Sequence, residues 1–270
     1  MWLSRPILLM LAGACLVCGC SGAIHRLPAL TSSQLNLAHA EVRSSGGPPQ
    51  PQNVSDEEAT RVLRAAIDRI RPAADQLCRE MVVGICRWTV HASDDRSLNA
   101  FAGPDGSIVI NRGVVDYAAN EEEVAVVIAH EIGHHAADHH ARRQHNQMVG
   151  SLIGNIVVTA VSLVVPPLGM ATGLIQSAAE SGVNLATGAV AASYSKEQER
   201  EADWLAALIL YRSGMDLDKA RGFLLTMARA PGGTGTSLFM THLSGPERLA
   251  ASDEAVRQIR ASNGRLPRRQ

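Results

Sequence analysis

The spacing of apolar and polar positions divides the chain into stretches with different periods. Residues 6–17 form one unbroken apolar run behind a single charge, Arg5. This run is too short to cross a bilayer and reads as a secretory signal within residues 1–20. Residues 21–54 are polar and rich in Ser, Gly, Pro and Gln, as in SSGGPPQPQN, and read as a flexible tether. Periodicity begins at Ser55-Asp56-Glu57-Glu58, where Ser55 can cap a helix and Glu58 sits at the capping-box position. Val62, Ala66, Ile67 and Ile70 then recur at helical spacing, predicting a helix to about Cys78. ICRWTV alternates, and GSIVINRG lies between Gly106 and Gly113, so a small sheet is expected next. A helix starts at Asn120 with acidic residues in its first turn and continues through VAVVIA. Two more are predicted from about Leu217 to Ala228, behind Asp216 as cap, and from Pro246 to Ile259, with proline at its permitted first turn. The expected fold is mainly α with a small β-sheet, as one domain over residues 55–262. The basic end, residues 263–270, reads as a solvated tail.

Charge and cysteine usage narrow the setting. A formal net charge of −1 over 270 residues argues against a nucleic-acid partner. The signal ends in Val17-Cys18-Gly19-Cys20, which resembles the lipobox of bacterial lipoproteins and makes Cys20 the expected lipidation site. Cys15 is a second candidate, and an ordinary signal with incidental cysteines is the alternative. By that resemblance, Ser21 after the lipidated cysteine implies the periplasmic face of the outer membrane rather than the inner membrane. Only Cys78 and Cys86 then remain, and in an exported protein so close a pair is expected to form a disulfide. Two buried free thiols are the alternative.

The densest chemistry lies in HEIGHHAADHH, His130 to His140. At about 100° per residue, His130 and His134 sit about 40° apart on one helical face, with Glu131 on its flank. In this HExxH pattern two neutral imidazoles hold zinc, and the adjacent carboxylate takes a proton from the attacking water. The chemistry implied is peptide-bond hydrolysis with Glu131 as general base. His135 and His139 fall about 140° and 180° from His130 while the helix stays regular, so neither can reach the same ion. With His140 and His145 they read as surface groups, helix-end groups or supports behind the ligands. A loose histidine-rich metal tract is the competing reading, but such a tract requires neither this glutamate nor a capped apolar helix leading in.

A catalytic zinc with two histidines lacks a third protein ligand. SKEQEREADWLAAL offers Glu199 and Asp203, four residues apart on one face, but from the residues alone Glu197 and Glu201 compete with Glu199. Here the sequence resembles the zinc proteases of the gluzincin type that include the heat-shock protease HtpX and the CAAX prenyl endoproteases. Their second motif reads E-x-x-A-D, with its first glutamate on the metal. The resemblance implies Glu199 as third ligand, Asp203 as a partner orienting a ligand histidine, and one zinc per chain; Glu201, nearly opposite Glu199, is expected to face solvent. LNAFAGPDGSIVINRGVV is similar to the family's strand and loop, which implies that residues 98–110 form an edge taking up substrate by strand addition. Thr241-His242, with Arg248 six residues beyond, resembles the family's T-H-P segment, although Leu243 replaces the proline. By that likeness His242 approaches the zinc or stabilises the oxyanion, and Arg248 anchors the loop or contributes charge at the transition state.

Between the two motifs, the segment 149–179 carries no charged residue but is interrupted by Gly150, Gly154, Asn155, Pro166 and Pro167. A membrane hairpin, an apolar lid and buried helices are all compatible with it; length and breakers favour a buried or membrane-touching lid. No 34-residue repeats follow Arg248. The expected function is a zinc endopeptidase, lipid-anchored in the cell envelope, that cleaves misfolded or stalled envelope proteins. The alternative is a chaperone-like module that binds clients around a structural or self-inhibited zinc.

Overall fold

The structure, a computed structural model, describes residues 22–81, 83–144, 194–230 and 245–269. It divides into two units, one of Ala23–His140 with Ala192–Gln270 and one of Met1–Gly22 with Ala141–Ala191. The second is described only at Gly22 and at residues 141–144. Cys20, His145, His242 and the apolar segment 149–179 lie outside the described residues. Among the described residues no helix is long and apolar enough to cross a membrane.

In the first unit the described elements are α1 (Ser32–Ser44), α2 (Asp56–Met81), β1 (Thr89–Ser93), β2 (Ala100–Ala102), β3 (Ser107–Asn111), α3 (Arg112–Tyr117), α4 (Glu121–Ala136), α5 (Lys196–Arg212), α6 (Leu217–Arg229) and α7 (Pro246–Ser262). This is the mainly helical architecture with a small sheet that the periodicity predicts. The helix starts follow the local chemistry. Ser55 Oγ accepts from the Glu58 amide at 3.2 Å, the Asn120 side chain accepts from the Glu123 amide at 3.0 Å, and Ser195 and Gln198 form a capping box ahead of α5. α2 buries Ala66, Ile70, Ala73, Ala74 and Leu77 as one stripe. α4 is buried along most of its length and packs on α2, α5, α6 and β2.

The sheet has the order β1-β3-β2, with β1 parallel and β2 antiparallel to β3. β3 is therefore central, and the expectation that residues 98–110 form an edge is corrected: of that stretch only Ala100–Ala102 has an unpaired side. The strand expected at ICRWTV begins only at Thr89. Its first residues are committed elsewhere, because Cys86 is disulfide-bonded to Cys78 and the Ile85 amide donates to the His135 carbonyl at 3.1 Å. Gly84 lies so close to the end of α4 that a Cβ there would meet the His135 carbonyl oxygen at 1.8 Å. The disulfide thus joins α2 to a loop that closes the end of α4.

Two expectations about the flanks are corrected in part. Within residues 22–54 the expected tether is in part a helix: α1 begins at a capping box of Thr31 and Gln34, buries Ala38, and turns Leu35 and Val42 onto the core. These three positions share one helical face, but the polar residues between them hide the stripe. Arg221 on α6 fixes the helix by paired bonds of 2.6 Å to Glu41 and also bonds Asp253 on α7. Nor is the basic end loose over residues 263–269: Arg265, Arg268 and Arg269 are exposed, but the Arg26 amide donates to the Arg268 carbonyl at 2.9 Å and His25 bridges Arg269. The backbone itself makes this pairing, so basic side chains gave no sign of it.

Replacing Cys78 and Cys86 together by alanine should lower stability by about 2–3 kcal/mol, the loop-closure contribution of a ring this small. Urea unfolding of the oxidised parent and the double variant would measure it. Equal midpoints would show that the link constrains nothing.

Candidate metal centre

α4 and α5 approach closely because Gly133 faces Ala202: a Cβ on Gly133 would lie 2.9 Å from the Ala202 carbonyl oxygen. That approach brings side chains of the two helices together one turn to either side. His130 Nε2 and His134 Nε2 lie 3.0 Å apart, and each is 3.5 Å from an oxygen of Glu199. All three residues are buried. The separations suit one ion: ligand atoms at zinc–nitrogen and zinc–oxygen bond lengths in a tetrahedral site stand about 3.3 Å apart. Among the described residues, His130, His134 and Glu199 are the group that could hold a metal. The charge balance agrees, since Glu131, Glu199 and Asp203 are buried around the imidazoles with Arg248 as their buried cation. A divalent cation would offset this excess of carboxylates.

Each histidine is held from behind. Asp203 Oδ1 lies 2.8 Å from His130 Nδ1. Arg248 grips the same carboxylate with two bonds, Nε to Oδ2 at 2.6 Å and Nη2 to Oδ1 at 2.7 Å, and its Nη1 lies 3.4 Å from Glu199. Burial and the Arg248 guanidinium both oppose a charge on His130, but the Asp203 and Glu199 carboxylates outweigh them and hold its imidazole up to about 9. Burial would push Asp203 upward, and Arg248 and His130 hold it below the usual carboxylate range. Arg248 Nη2 also lies 3.0 Å from His130 Nδ1 and 3.3 Å from its Nε2, so Arg248 stands against the ligands themselves as well as Asp203 and joins α7 to α5. Glu131 is buried on α4 beside His130 and its charge helps keep Arg248 cationic, whereas burial pushes the His135 imidazole down despite it.

His134 is enclosed by residues that its own helix did not reveal. Tyr194 stacks on its ring at 3.8 Å between centroids, and His139 Nδ1 lies 2.9 Å from His134 Nδ1. The helix stops at Ala136, and Asp138 takes a left-handed φ of 54°, which returns His139 toward α4. Neither His135 nor His139 is a surface group. His135 is buried with its Nε2 3.2 Å from the Ser107 carbonyl, and His139 is completely buried. Glu201 is likewise buried, not solvent-facing, and its Oε2 lies 3.0 Å from His139 Nε2. Burial would raise its carboxyl, but hydrogen bonds with His139 and His25 hold it down to about 2.

Two signals could have located these residues. Asp tolerates a left-handed conformation, so AADHH was a possible helix stop. DWLAALIL is apolar around most of the helix circumference, as in a helix buried on all sides, which left Glu201 little solvent to face.

Peptidase family M48 matches residues 66–256. The chain belongs to peptidase family M48. A β-barrel assembly-enhancing protease of Escherichia coli O157:H7 is 32% identical over 175 residues, which cover 60% of this chain and 33% of that protein. Metalloprotease YcaL of Escherichia coli K12 is 30% identical over 161 residues, 60% of this chain and 58% of YcaL. The mitochondrial metalloendopeptidase OMA1 of Arabidopsis thaliana is 28% identical over 161 residues, 60% of this chain and 30% of OMA1. The chain thus spans about a third of the length of the β-barrel assembly-enhancing protease it matches. These relatives replace the narrower likeness to HtpX and the CAAX endoproteases. The family is one of peptidases, and His130, His134 and Glu199 are a group that could hold a metal.

Arg248→Met should destabilise the fold by about 3–5 kcal/mol, because Asp203 and Glu199 would lose their buried counter-charge. Arg248→Lys, which keeps the charge without the two-pronged geometry, should lose less. Chemical denaturation of the metal-free variants tests this, and a parent-like midpoint for the methionine variant would contradict it.

Proposed function

We propose that the protein is a zinc-dependent endopeptidase of the bacterial cell envelope that hydrolyses peptide bonds in misfolded or stalled envelope proteins. The observation that carries this reading is the convergence of His130 and His134 on α4 with Glu199 on α5, beside the buried Glu131. The name of the β-barrel assembly-enhancing relatives supports envelope proteins as substrates, and the lipobox-like signal supports lipid anchoring through Cys20 at the periplasmic face of the outer membrane.

His130 and His134 would offer their Nε2 atoms to zinc, and Glu199 a carboxylate oxygen. Bound there, zinc would polarise the scissile carbonyl and lower the pKa of a water to roughly 7. Glu131 takes the proton of the attacking water and passes it to the departing amine, the two-way use expected of a general base beside the reacting carbonyl. Asp203 keeps the His130 Nδ1 proton engaged so that Nε2 presents its lone pair, and Arg248 holds Asp203 in place. His242 lies outside the described residues; the family likeness would give it a part in stabilising the oxyanion or beside the zinc.

Substrate would lie along β2. The Asn111 amide bonds the Asn99 carbonyl and the Gly103 amide bonds the Ser107 carbonyl, so by antiparallel alternation Ala100 and Ala102 direct their backbone groups to the unpaired side. An extended peptide could add there as a further strand.

The full chain should purify with about one zinc, as expected of a single three-ligand site. Glu199→Gln should weaken that binding. Glu131→Gln should keep the metal while proteolysis of an unfolded envelope protein falls by about 10²- to 10⁴-fold. Undiminished cleavage by Glu131→Gln would sink the mechanism; client protection without cleavage in the parent would point to a binding module.

Ala102→Pro removes one outward amide from the β2 edge. It should raise KM for protein substrates with bound zinc unchanged. Unaltered kinetics would place substrate elsewhere.

A further inference from the structure

Glu201 occupies an unusual position for a buried carboxylate. It projects from α5 two residues beyond Glu199, and four groups from distant parts of the chain contact its oxygens. Its Oε1 accepts from the His25 amide at 2.8 Å and lies 2.6 Å from His25 Nδ1. Its Oε2 accepts from the Ile24 amide at 2.7 Å and lies 3.0 Å from His139 Nε2. Four bonds use the acceptor capacity of an ionised carboxylate, which has about four lone-pair sites. His25, Glu201 and His139 are each at most 1% exposed. The segment that bonds Glu201 is held on its other side by the chain end, through the Arg26 amide and the His25–Arg269 bridge.

The proton order along this row follows from chemistry. His134 can direct a lone pair from Nε2 toward His130 and Glu199 only if its ring is neutral and its proton sits on Nδ1. That proton must then be donated to His139 Nδ1, 2.9 Å away. His139 in turn carries its proton on Nε2 and donates it to Glu201, which only accepts. With His134 in its metal-binding form, this assignment satisfies the bonds from His134 through His139 to Glu201.

We propose that Ile24, His25, Glu201 and His139 form a positioning relay in which docking of the segment before α1 locks the tautomer and orientation of His134. Metal affinity then depends on a stretch of chain that touches no ligand. Asp203 and Arg248 do the corresponding work for His130, so the two histidines are held by separate supports. The relay rests on the zinc reading above and adds to it a dependence on the chain's early residues. Detachment of residues 23–26 would strip Glu201 of three of its four bonds and so loosen the support of one ligand.

The test uses the full chain and its variants Glu201→Gln, His139→Phe and His25→Ala, with Glu199→Gln as control. Zinc affinity is read by competition with a chromophoric chelator, and the His134 tautomer by long-range ¹H–¹⁵N correlation on histidine-labelled protein. Glu201→Gln and His139→Phe should each weaken zinc by about 10- to 100-fold, the usual cost of losing a partner behind a metal ligand. His25→Ala removes one donor and leaves both amides, so about a two- to tenfold loss is expected. In each variant the metal-free protein should show His134 shared between tautomers, which a merely structural tie would not produce. If Glu201→Gln fails to fold, His25→Ala decides. Folded variants with parental zinc affinity and a parental His134 tautomer would overturn the relay. If the parent itself bound no zinc, or bound it equally well as Glu199→Gln, the metal-site reading would fall first and the relay with it.

Discussion

The close contact of α4 with α5 at Gly133 and Ala202 is the constraint on which the rest depends. Two histidines one turn apart can share a metal only if a third donor stands about 3–4 Å from both, and that donor is on another helix. A side chain at Gly133 would meet the backbone of Ala202, so the distance between the helices is set where no bulk can intervene. Glu199 is thereby brought within 3.5 Å of both Nε2 atoms, and Asp203, one turn further along α5, reaches the other nitrogen of His130. Ala202, Leu205, Leu208 and Ile209 bury the remainder of α5 and make the approach favourable.

That approach also concentrates carboxylates where water is scarce, and the fold answers with cations and donors from remote segments. α7 supplies Arg248 to Asp203, and the segment before α1 supplies two amides and an imidazole to Glu201. A buried charge must be paired and hydrogen-bonded or it destabilises the structure by several kcal/mol. The elements at either end of the described chain are therefore more than packing. They complete electrostatic arrangements that α4 and α5 begin, and Arg221 ties α1 to α6 beside them.

Periodicity and capping made α2, α4, α6 and α7 legible, because each has an apolar face and a chemically distinct start. The HExxH spacing likewise made His130 and His134 legible, since both lie on one regular helix. Glu199 could not be separated from Glu197 and Glu201 by residue chemistry, because the choice depends on which face of α5 meets α4. A resemblance between families supplied that choice. α1 was missed for a different reason: its apolar stripe of Leu35, Ala38 and Val42 is thin, and its attachment uses salt bridges rather than periodic burial. The sheet's order was equally hidden, since pairing β1 with β3 across residues 94–106 is a long-range choice that local alternation does not encode.

His139 shows the limit most clearly. The helical-rotation argument excluded it from the metal face, and it is indeed not among the candidate ligands. The same argument assumed continuity past Ala136, whereas the left-handed Asp138 turns the chain and places His139 behind His134. A residue about 180° from His130 and 140° from His134 on a continuous helix thus becomes a hydrogen-bonding support of His134. The general point is that the ligands of such a site are written locally, in residues on helices with a fixed period. Their supports are written in helix stops and in segments far along the chain. Mutational effects on metal binding should therefore extend into regions that carry no recognisable motif, and the early residues of this chain are where that physical argument leads.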